Sequence, residues 1–199
     1  CRTELHTQEV SPTGRKLERW PINAKATVVL GASHAPAQPE GFPLPGAALA
    51  ARPVVDRAGL TSLYEQYTGL TGRYRVLQQI NSLAAGMAEA LIVLQDVADF
   101  ADRQQNHYQT SPYLLESMFQ TVVFQTLLEQ QGKVETIALP YAIGEIEYHR
   151  QGTNSGNYRV QARRRGEDPA GIIWDALVYN EPMEPVISAR GLEMRWLSL

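Results

Sequence analysis

Two side chains in the second half of the sequence could carry acid chemistry together. Glu116 and Gln120 are four residues apart, so in a helix they lie on one face, which Val123 and Leu127 continue as an apolar surface. Burial beside such a surface raises the pKa of a carboxyl group, while the N-terminal end of a helix dipole stabilises its anion. Two interpretations stay open. Glu116 is a general acid, with Gln120 holding either the carboxyl group or the substrate, or it merely complements the dipole in the first helical turn.

A helix must hold this pair. Ser111 suits an N-cap, and Pro112 suits the first helical position because its missing N–H would have no partner there. Gly132 suits the C-terminal end. Apolar residues form one broad face and extend toward the other side: Leu114, Leu115, Met118, Phe119, Val122, Val123, Phe124, Leu127 and Leu128. A helix this apolar is expected to be largely buried.

Strand patterns surround the helix. Before it, a short amphipathic helix at 55–67 is followed by strand-like runs at 74–80 and 87–94. Four further runs come after it, at 136–149, 157–164, 171–179 and 185–197. Their connections are short and rich in turn formers, so we expect these four to be sequential antiparallel neighbours. The pattern predicts an α+β protein in which an antiparallel sheet wraps around a central helix, the hotdog fold.

Composition divides the chain into three parts. Residues 1–30 hold two strand-like runs around a polar stretch, and two strands alone are marginal without a partner surface. Residues 31–54 are rich in proline, alanine and glycine and are typical of a linker. Residues 55–199 contain the central helix and most of the predicted strands, and form the main domain.

Charge and composition exclude several classes of function. The 199 residues carry a formal net charge of -3, which gives no electrostatic reason to bind nucleic acid or an anionic membrane. The single cysteine, Cys1, excludes an internal disulfide and a thiolate zinc site. His6, His34, His107 and His149 show no metal-ligand spacing, and no apolar run reaches the length of a membrane span. We expect a cytoplasmic protein that needs no metal and no cofactor.

The segment SPYLLESMFQ, residues 111–120, resembles the HPxLLDxxxQ segment that opens the central helix of the second hotdog in dehydratase domains of polyketide and related fatty acid synthases. Upstream, LYEQYTGLTGRYRVLQQI is similar to the family's LYxxxxxxGxxYGPxF stretch, and downstream, IALPYAIGEIEYH is similar to its LPxxIxxxxxH strand. The ordered series runs through residues 55–199. Residues 1–30 would then be the closing strands of a truncated first hotdog.

The resemblance implies a dehydratase acting on a 3-hydroxyacyl chain that an acyl carrier protein presents on its phosphopantetheine arm. Glu116 would be the general acid and Gln120 the residue that orients it. The residues implied to bind substrate are Pro112, Tyr113, Arg73 and Tyr74. Glutamate replaces the family's aspartate here, which is most similar to iterative synthases that make enediynes and polyunsaturated fatty acids. The carrier protein, neighbouring synthase domains and a second copy, paired through an exposed sheet edge, are the expected partners.

The family's catalytic base is a histidine of the first hotdog within an HxxxGxxxxP pattern, and no histidine of this chain has glycine four positions on. Dehydration needs a base for the alpha proton and an acid for the departing hydroxyl, so this chain alone is expected to turn over little substrate. Three alternatives remain: a dehydratase whose base lies outside this chain, a non-catalytic scaffold or carrier-docking module, and a product-template domain that cyclises a polyketide.

Other polar residues receive weaker assignments. His149 is predicted to face solvent on its strand, and His107, just before the helix, is a candidate substitute base. The run 163–165, three arginines, is interpreted as the solvated end of a hairpin, with docking to an acidic carrier protein as the alternative. Arg73 and Arg75 are candidate ligands for the phosphate of a pantetheine arm.

Overall fold

The computed structural model describes residues 2–6, 22–27, 42, 54–94, 111–130, 135–150, 152–153 and 155–198. Contacts divide the chain into two compact units, Cys1–Ala35 and Pro36–Leu199. In the first unit, β1 (Arg2–His6) and β2 (Ile22–Thr27) form a two-stranded antiparallel sheet, close to the strands predicted there. Nearly all of the predicted linker at 31–54 lies outside the described residues.

The second unit contains two α-helices and seven strands among its described residues: β3 (Val54–Val55), α1 (Arg57–Leu63), β4 (Leu77–Ala84), β5 (Met87–Leu94), α2 (Pro112–Glu129), β6 (Thr136–Tyr148), β7 (Gly156–Asp168), β8 (Gly171–Asn180) and β9 (Pro185–Ser198). The first helix continues as a π-helical turn, Tyr64–Thr68, and a 3-10 turn follows at Gly72–Tyr74. Each helix and strand predicted for 55–199 has a counterpart, with ends shifted by a few residues.

The seven strands form one antiparallel sheet in the order β3-β4-β5-β7-β8-β9-β6. Strands β7, β8 and β9 are sequential neighbours as predicted, but β6 pairs with β9, so the prediction is wrong for that strand. The seven residues between β6 and β7 can span about 23 Å, whereas three strand spacings need only about 14 Å. The connection is therefore long enough to cross the end of the sheet. This strand order around one helix confirms the α+β hotdog fold.

Helix α2 lies against all six long strands and is buried around most of its surface. Its fully buried apolar side chains include Leu114, Met118, Val122, Phe124 and Leu127. Ser117, Thr121 and Thr126 are buried as well, and each hydroxyl donates to a main-chain carbonyl oxygen three or four residues earlier. These bonds satisfy the hydroxyls without water, so polar residues do not force any side of the helix into solvent.

Pro112 begins α2 as predicted. Ser111 has the extended backbone of an N-cap, but its buried hydroxyl makes no capping bond and has no partner among the described groups. The helix ends at Glu129, three residues before Gly132, which lies outside the described residues. Glu116 is thus the fifth residue of the helix, in its second turn.

The arginine run 163–165 lies within β7, near its C-terminal end, where Arg163 and Arg164 are partly buried and Arg165 is exposed. Arg163 Nη2 and Arg165 Nε are each 3.6 Å from Asp175 Oδ2, while Arg164 Nη1 is 3.2 Å from Glu129 Oε2. Strand β7 continues past the predicted end at residue 164, which brings the run into the sheet. All three guanidinium groups have a carboxylate partner within the domain, which weakens the case for carrier docking at this run.

Candidate active site

Glu116 has the position and surroundings of a proton donor. The dipole effect of a helix is strongest in its first turn, and Glu116 lies beyond that turn, so the dipole interpretation loses its basis. Its Oε1 accepts a hydrogen bond from Gln120 Nε2 at 2.8 Å. Burial raises the pKa of the Glu116 carboxyl, and the bond from Gln120 opposes this only in part. The carboxyl group therefore keeps its proton to a higher pH than an exposed glutamate does.

Gln120 is buried, and both ends of its amide are bonded. Its Oε1 accepts from the Tyr64 hydroxyl. Its Nε2 donates to Glu116 Oε1 and, at 2.6 Å, to the main-chain oxygen of Tyr74. An amide nitrogen has two hydrogens to donate, and both are used. In this arrangement the Gln120 amide is bonded to the Glu116 carboxyl group, which favours the first of the two roles that its sequence spacing left open.

Tyr64 determines which way the Gln120 amide points. The Tyr64 hydroxyl oxygen accepts from the Leu77 N–H at 3.2 Å, and its hydrogen goes to Gln120 Oε1. The amide oxygen must then face Tyr64 and the nitrogen must face Glu116. The Tyr64 ring packs edge-on against Phe124, with ring centroids 4.8 Å apart. Burial raises the Tyr64 pKa, so its hydroxyl stays a donor at physiological pH.

Glu116 and Gln120 line a cavity of about 200 Å³. Its other lining residues come from the turn after α1, from α2 and from β6: Tyr67, Thr68, Leu70, Phe119, Val123, Phe124, Ile137, Leu139 and Pro140. Leu139 and Pro140 are exposed at the mouth, whereas Val123, Phe124 and Ile137 are buried. Apolar side chains therefore form most of the cavity wall around the carboxyl group, as is typical of ligand pockets.

A tight turn shapes the wall that Tyr67 and Leu70 contribute. Gly69 has a φ of 64°, which glycine adopts without steric cost, and its N–H donates to the Tyr64 carbonyl at 3.1 Å. Arg75 Nε donates to the Leu70 carbonyl at 2.7 Å, and its guanidinium group lies 5.6 Å from the Tyr64 ring centroid. Arg75 thus supports the wall from inside the domain, which weakens its assignment as a phosphate ligand.

The residues predicted to bind substrate do not gather at this cavity. Pro112 is exposed at the start of α2, and Tyr113 is buried, with its ring centroid 6.2 Å from that of the half-exposed Tyr74. None of these three lines the cavity. Tyr74 contributes through its main-chain oxygen, which accepts from Gln120. The Arg73 side chain lies outside the described residues.

Sequence reasoning missed Tyr64 and the mouth of the cavity. Tyr64 is the tyrosine of the LY pair that opens the upstream segment of the resemblance, and Leu139 and Pro140 are the LP pair of the downstream strand. Both pairs served only to align the chain with the family. The signal was therefore present, but nothing in the local sequence shows that these segments meet at Glu116.

His149 is buried, contrary to its predicted exposure. It shares the outer face of the sheet with Glu147, as strand alternation indicates, but its side chain is only 4% exposed. The ring Nε2 lies 2.9 Å from the hydroxyl of Ser188, which is itself buried. The prediction is wrong because the His149 ring contacts Ser188 of the neighbouring strand β9, whereas Glu147 stays exposed. Burial lowers the His149 pKa, and the residue does not line the cavity.

The other histidines lie outside what can be described. No position is given for His34 or His107, and only the backbone of His6 is described, so the role of His107 as a substitute base stays a prediction. Within the described ranges, no group of three or more His, Cys, Asp or Glu side chains could hold a metal ion. None of the helices in those ranges has both the length and the apolar content to cross a bilayer.

Comparison with protein families gives one match. A family model described as "Polyketide synthase dehydratase N-terminal domain" matches residues 45–198, most of the chain. Its description names the N-terminal domain, which differs from the second hotdog that the resemblance led us to expect. No curated protein matches the sequence.

Solved dehydratase domains share the fold at low sequence identity. The dehydratase domain of a mycocerosic acid synthase-like polyketide synthase superposes with a TM-score of 0.68 at 18% identity, over 98% of this chain and 64% of that one. The dehydratase domain from the CurJ module of curacin polyketide synthase gives 0.64 at 18%, over 90% and 60%. That of PpsC from Mycobacterium tuberculosis gives 0.63 at 14%, over 100% and 64%. The chain thus spans less than two thirds of the length of each.

The family match rests on residues that also build the site just described. Residues 45–198 include the whole seven-stranded sheet, the helix that carries Glu116 and Gln120, and every residue that lines the cavity. The strand order is that of a hotdog, and the solved dehydratases have the same fold. The chain belongs to the polyketide synthase dehydratase family.

Proposed function

We propose that this chain supplies the acid half of a dehydratase that acts on 3-hydroxyacyl chains carried by an acyl carrier protein. The observation that carries the proposal is the Glu116 carboxyl group, which has a raised pKa and is held by Gln120 in an apolar cavity. Glu116 would protonate the departing 3-hydroxyl group while a base takes the alpha proton, leaving an enoyl thioester and water. Passing the alpha proton from the base back to the Glu116 carboxylate, through solvent, restores both groups.

The hydrogen bonds of Glu116 indicate which oxygen would donate. A neutral carboxyl group carries one O–H, and Oε1 already accepts from Gln120. The proton is therefore assigned to Oε2, which bonds to no group among the described residues. The orientation of the Gln120 amide, imposed by Tyr64, supports this assignment because it presents a donor to Oε1 and not a second acceptor.

The base would reach the substrate over the edge strand β6. Leu139 and Pro140 form the exposed mouth of the cavity, and β6 is the last strand of the sheet, with one flank unpaired by the described strands. The family resemblance implies a histidine from the other hotdog, and the chain spans 64% of the length of the first solved dehydratase compared. We therefore assign the base to another part of the same synthase.

The position of the catalytic histidine in the parent synthase would decide which hotdog this chain is. We retain the second hotdog as part of the proposal, since the HPxLLDxxxQ-like segment and the two strands of Cys1–Ala35 favour it. An HxxxGxxxxP segment encoded before Cys1 would support that order. The same segment encoded after Leu199 would instead make this the first hotdog, as the description of the family model has it.

Cavity size disfavours the cyclisation alternative. A volume of about 200 Å³ is below the roughly 300 to 1,000 Å³ of pockets that hold drug-sized ligands. A polycyclic polyketide needs a pocket of that larger class, whereas a linear acyl chain does not. The scaffold alternative, in turn, gives no reason for a partly buried acid with one unbonded oxygen beside a cavity.

The partners follow from the family and from the sheet edge. As a dehydratase domain of a polyketide synthase, the chain has neighbouring synthase domains, and we propose that a carrier protein delivers the substrate on its phosphopantetheine arm. Large apolar side chains are exposed along β6, among them Leu139, Tyr141 and Tyr148. An exposed edge strand of this kind pairs readily with another sheet, so either the other hotdog or a second copy would be seated there.

The test is Glu116→Gln in the polyketide synthase that contains this chain. Dehydration of a 3-hydroxyacyl thioester should fall at least about a hundredfold, because the amide cannot supply the proton. Glu145→Gln is the matched control, since Glu145 is exposed on β6 and does not line the cavity. Full dehydratase activity in Glu116→Gln would overturn the acid assignment.

A further inference from the structure

We infer that Val123 and Ile137 close the inner end of the cavity and so limit the length of the acyl tail that this domain accepts. This inference rests on the proposed function, because it takes the occupant of the cavity to be an acyl chain. It adds a length limit and the residues that set it. The two ends of the cavity differ in chemistry, since the polar groups of Glu116 and Gln120 line one and apolar side chains line the other.

The outer end of the cavity holds the acid. Glu116 and Gln120 lie beside Leu139 and Pro140, the exposed residues at the mouth. The polar atoms needed for proton transfer are therefore near the opening. A thioester joined to a carrier protein must leave through this same opening, because the carrier cannot enter a cavity of about 200 Å³.

The inner end is closed by apolar side chains. Val123 is seven residues after Glu116 on the same helical face, which places it about 10 Å farther along the axis. Val123 is 7% exposed, and Ile137 is 4% exposed. Gln130 Nε2 donates to the Thr136 carbonyl at 3.1 Å, so β6 begins beside the C-terminal end of α2 and passes Ile137 before it reaches the mouth.

The substrate therefore has one way to lie. Its reacting carbons are at Glu116, its thioester points out of the mouth, and its tail runs toward Val123 and Ile137. The cavity is small, about 200 Å³, so it holds only a tail of limited length. Its inner end offers no polar side chain, which selects a saturated or unsaturated hydrocarbon tail over a hydroxylated one.

The test measures binding to the full chain, which needs no catalytic base. Unreactive thioether analogues of 3-hydroxyacyl pantetheine, with tails of increasing length, are titrated by calorimetry. Affinity should rise about fourfold for each added methylene. It should stop rising once the tail reaches the inner end of the cavity. An affinity that keeps rising through much longer tails, or that does not respond to tail length, would overturn the inference.

We call the tail length at which affinity stops rising the break point. Variants at the inner end of the cavity should change it. Val123→Ala should shift it to longer tails by one or two carbons, and Val123→Phe should shift it to shorter tails. Val186→Ala is the matched control, because it makes the same truncation at a buried position that does not line the cavity. Ile137→Ala is the second enlarging variant, should Val123→Ala fail to fold. A break point unchanged in both alanine variants would overturn the inference.

The two proposals fail separately. If the break point moves as expected while Glu116→Gln keeps full dehydratase activity in the parent synthase, the length limit stands and the acid assignment falls. If Glu116→Gln is inactive and the break point stays fixed in Val123→Ala and Ile137→Ala, the acid stands and the length limit falls.

Discussion

Glu89 is buried and Glu116 is partly buried in the same domain, yet the two carboxyl groups have different hydrogen-bond partners. Glu89 lies on β5 and is 1% exposed. Its Oε1 accepts from Arg159 Nη1 at 2.8 Å and its Oε2 from Gln161 Nε2 at 2.9 Å. Glu116 accepts from one neutral side chain, Gln120, and its second oxygen is unbonded among the described groups.

The two residues together indicate that burial alone does not fix the protonation behaviour of a carboxyl group. A buried carboxylate is costly unless a cation and further donors compensate its charge, and Glu89 has both. Glu116 has no cationic partner among the described side chains, so burial favours its neutral form and raises its pKa. The number and charge of the donors therefore separate a paired carboxylate from a carboxyl group with a raised pKa. Substitutions at either residue test this difference.

The largest expected effect comes from shortening the acid. Glu116→Asp withdraws the carboxyl group by about 1.5 Å, the length of one carbon–carbon bond. A displacement of this size should lower kcat/KM for dehydration in the parent synthase about a hundredfold. Steady-state kinetics on a 3-hydroxyacyl thioester would measure it. Aspartate is the family's own residue here, so unchanged kinetics would show that the pocket accepts either length and that the reach of Glu116 is not what the site depends on.

Breaking the other carboxylate should cost stability and not activity. Glu89→Gln removes the charge that pairs with Arg159, whose side chain is one-third exposed and so keeps part of its hydration. We expect the free energy of unfolding to fall by about 2 kcal/mol in urea titrations. Dehydration per folded molecule should not change. A second variant with Arg159→Gln added should recover part of the loss, and a large fall in kcat would contradict the contrast with Glu116.

Removing the Tyr64 hydroxyl should free the Gln120 amide to rotate, and so raise the pKa of Glu116 further. Tyr64→Phe leaves Gln120 Oε1 and the Leu77 N–H without their partner, at a cost of about 1 to 2 kcal/mol. A Gln120 amide free to turn donates less well to Glu116, so the Glu116 pKa should move further up. Carboxyl titration by NMR would measure this. Tyr179→Phe is the control, because Tyr179 is a buried tyrosine that does not line the cavity, and an unchanged Glu116 pKa in Tyr64→Phe would contradict the positioning role.

The smallest effect is a pH dependence of stability. The pKa of Glu116 is raised above its ordinary value of 4.5, so the folded state binds this proton more tightly than the unfolded state. The resulting stabilisation is present below pH 4.5 and is lost as pH rises through the raised pKa. Glu116→Gln should therefore gain stability relative to the wild type as pH increases over that window. Melting temperatures across pH would show it, and parallel curves for the two proteins would contradict it.

Most of the fold could be predicted because its signals are local. Alternation marked the strands around the helix, and the apolar pattern of residues 112–129 marked its burial. The pairing of β6 with β9 could not be predicted, since a seven-residue connection allows either a neighbour or a crossing. In the site, Glu116 and Gln120 follow from helical spacing. Tyr64 is 56 residues from Gln120, and only the packed domain brings the two together.

Leu139 and Pro140 belong both to the rim of the cavity and to the outermost strand of the sheet. Any polypeptide that pairs with β6 would therefore also border the entrance through which we propose that substrate passes. Substitutions that weaken pairing along β6 would therefore reduce the rate of the proposed reaction without altering Glu116 or Gln120. A defect in pairing along β6 would consequently give the same loss of activity as a defect in the reacting groups.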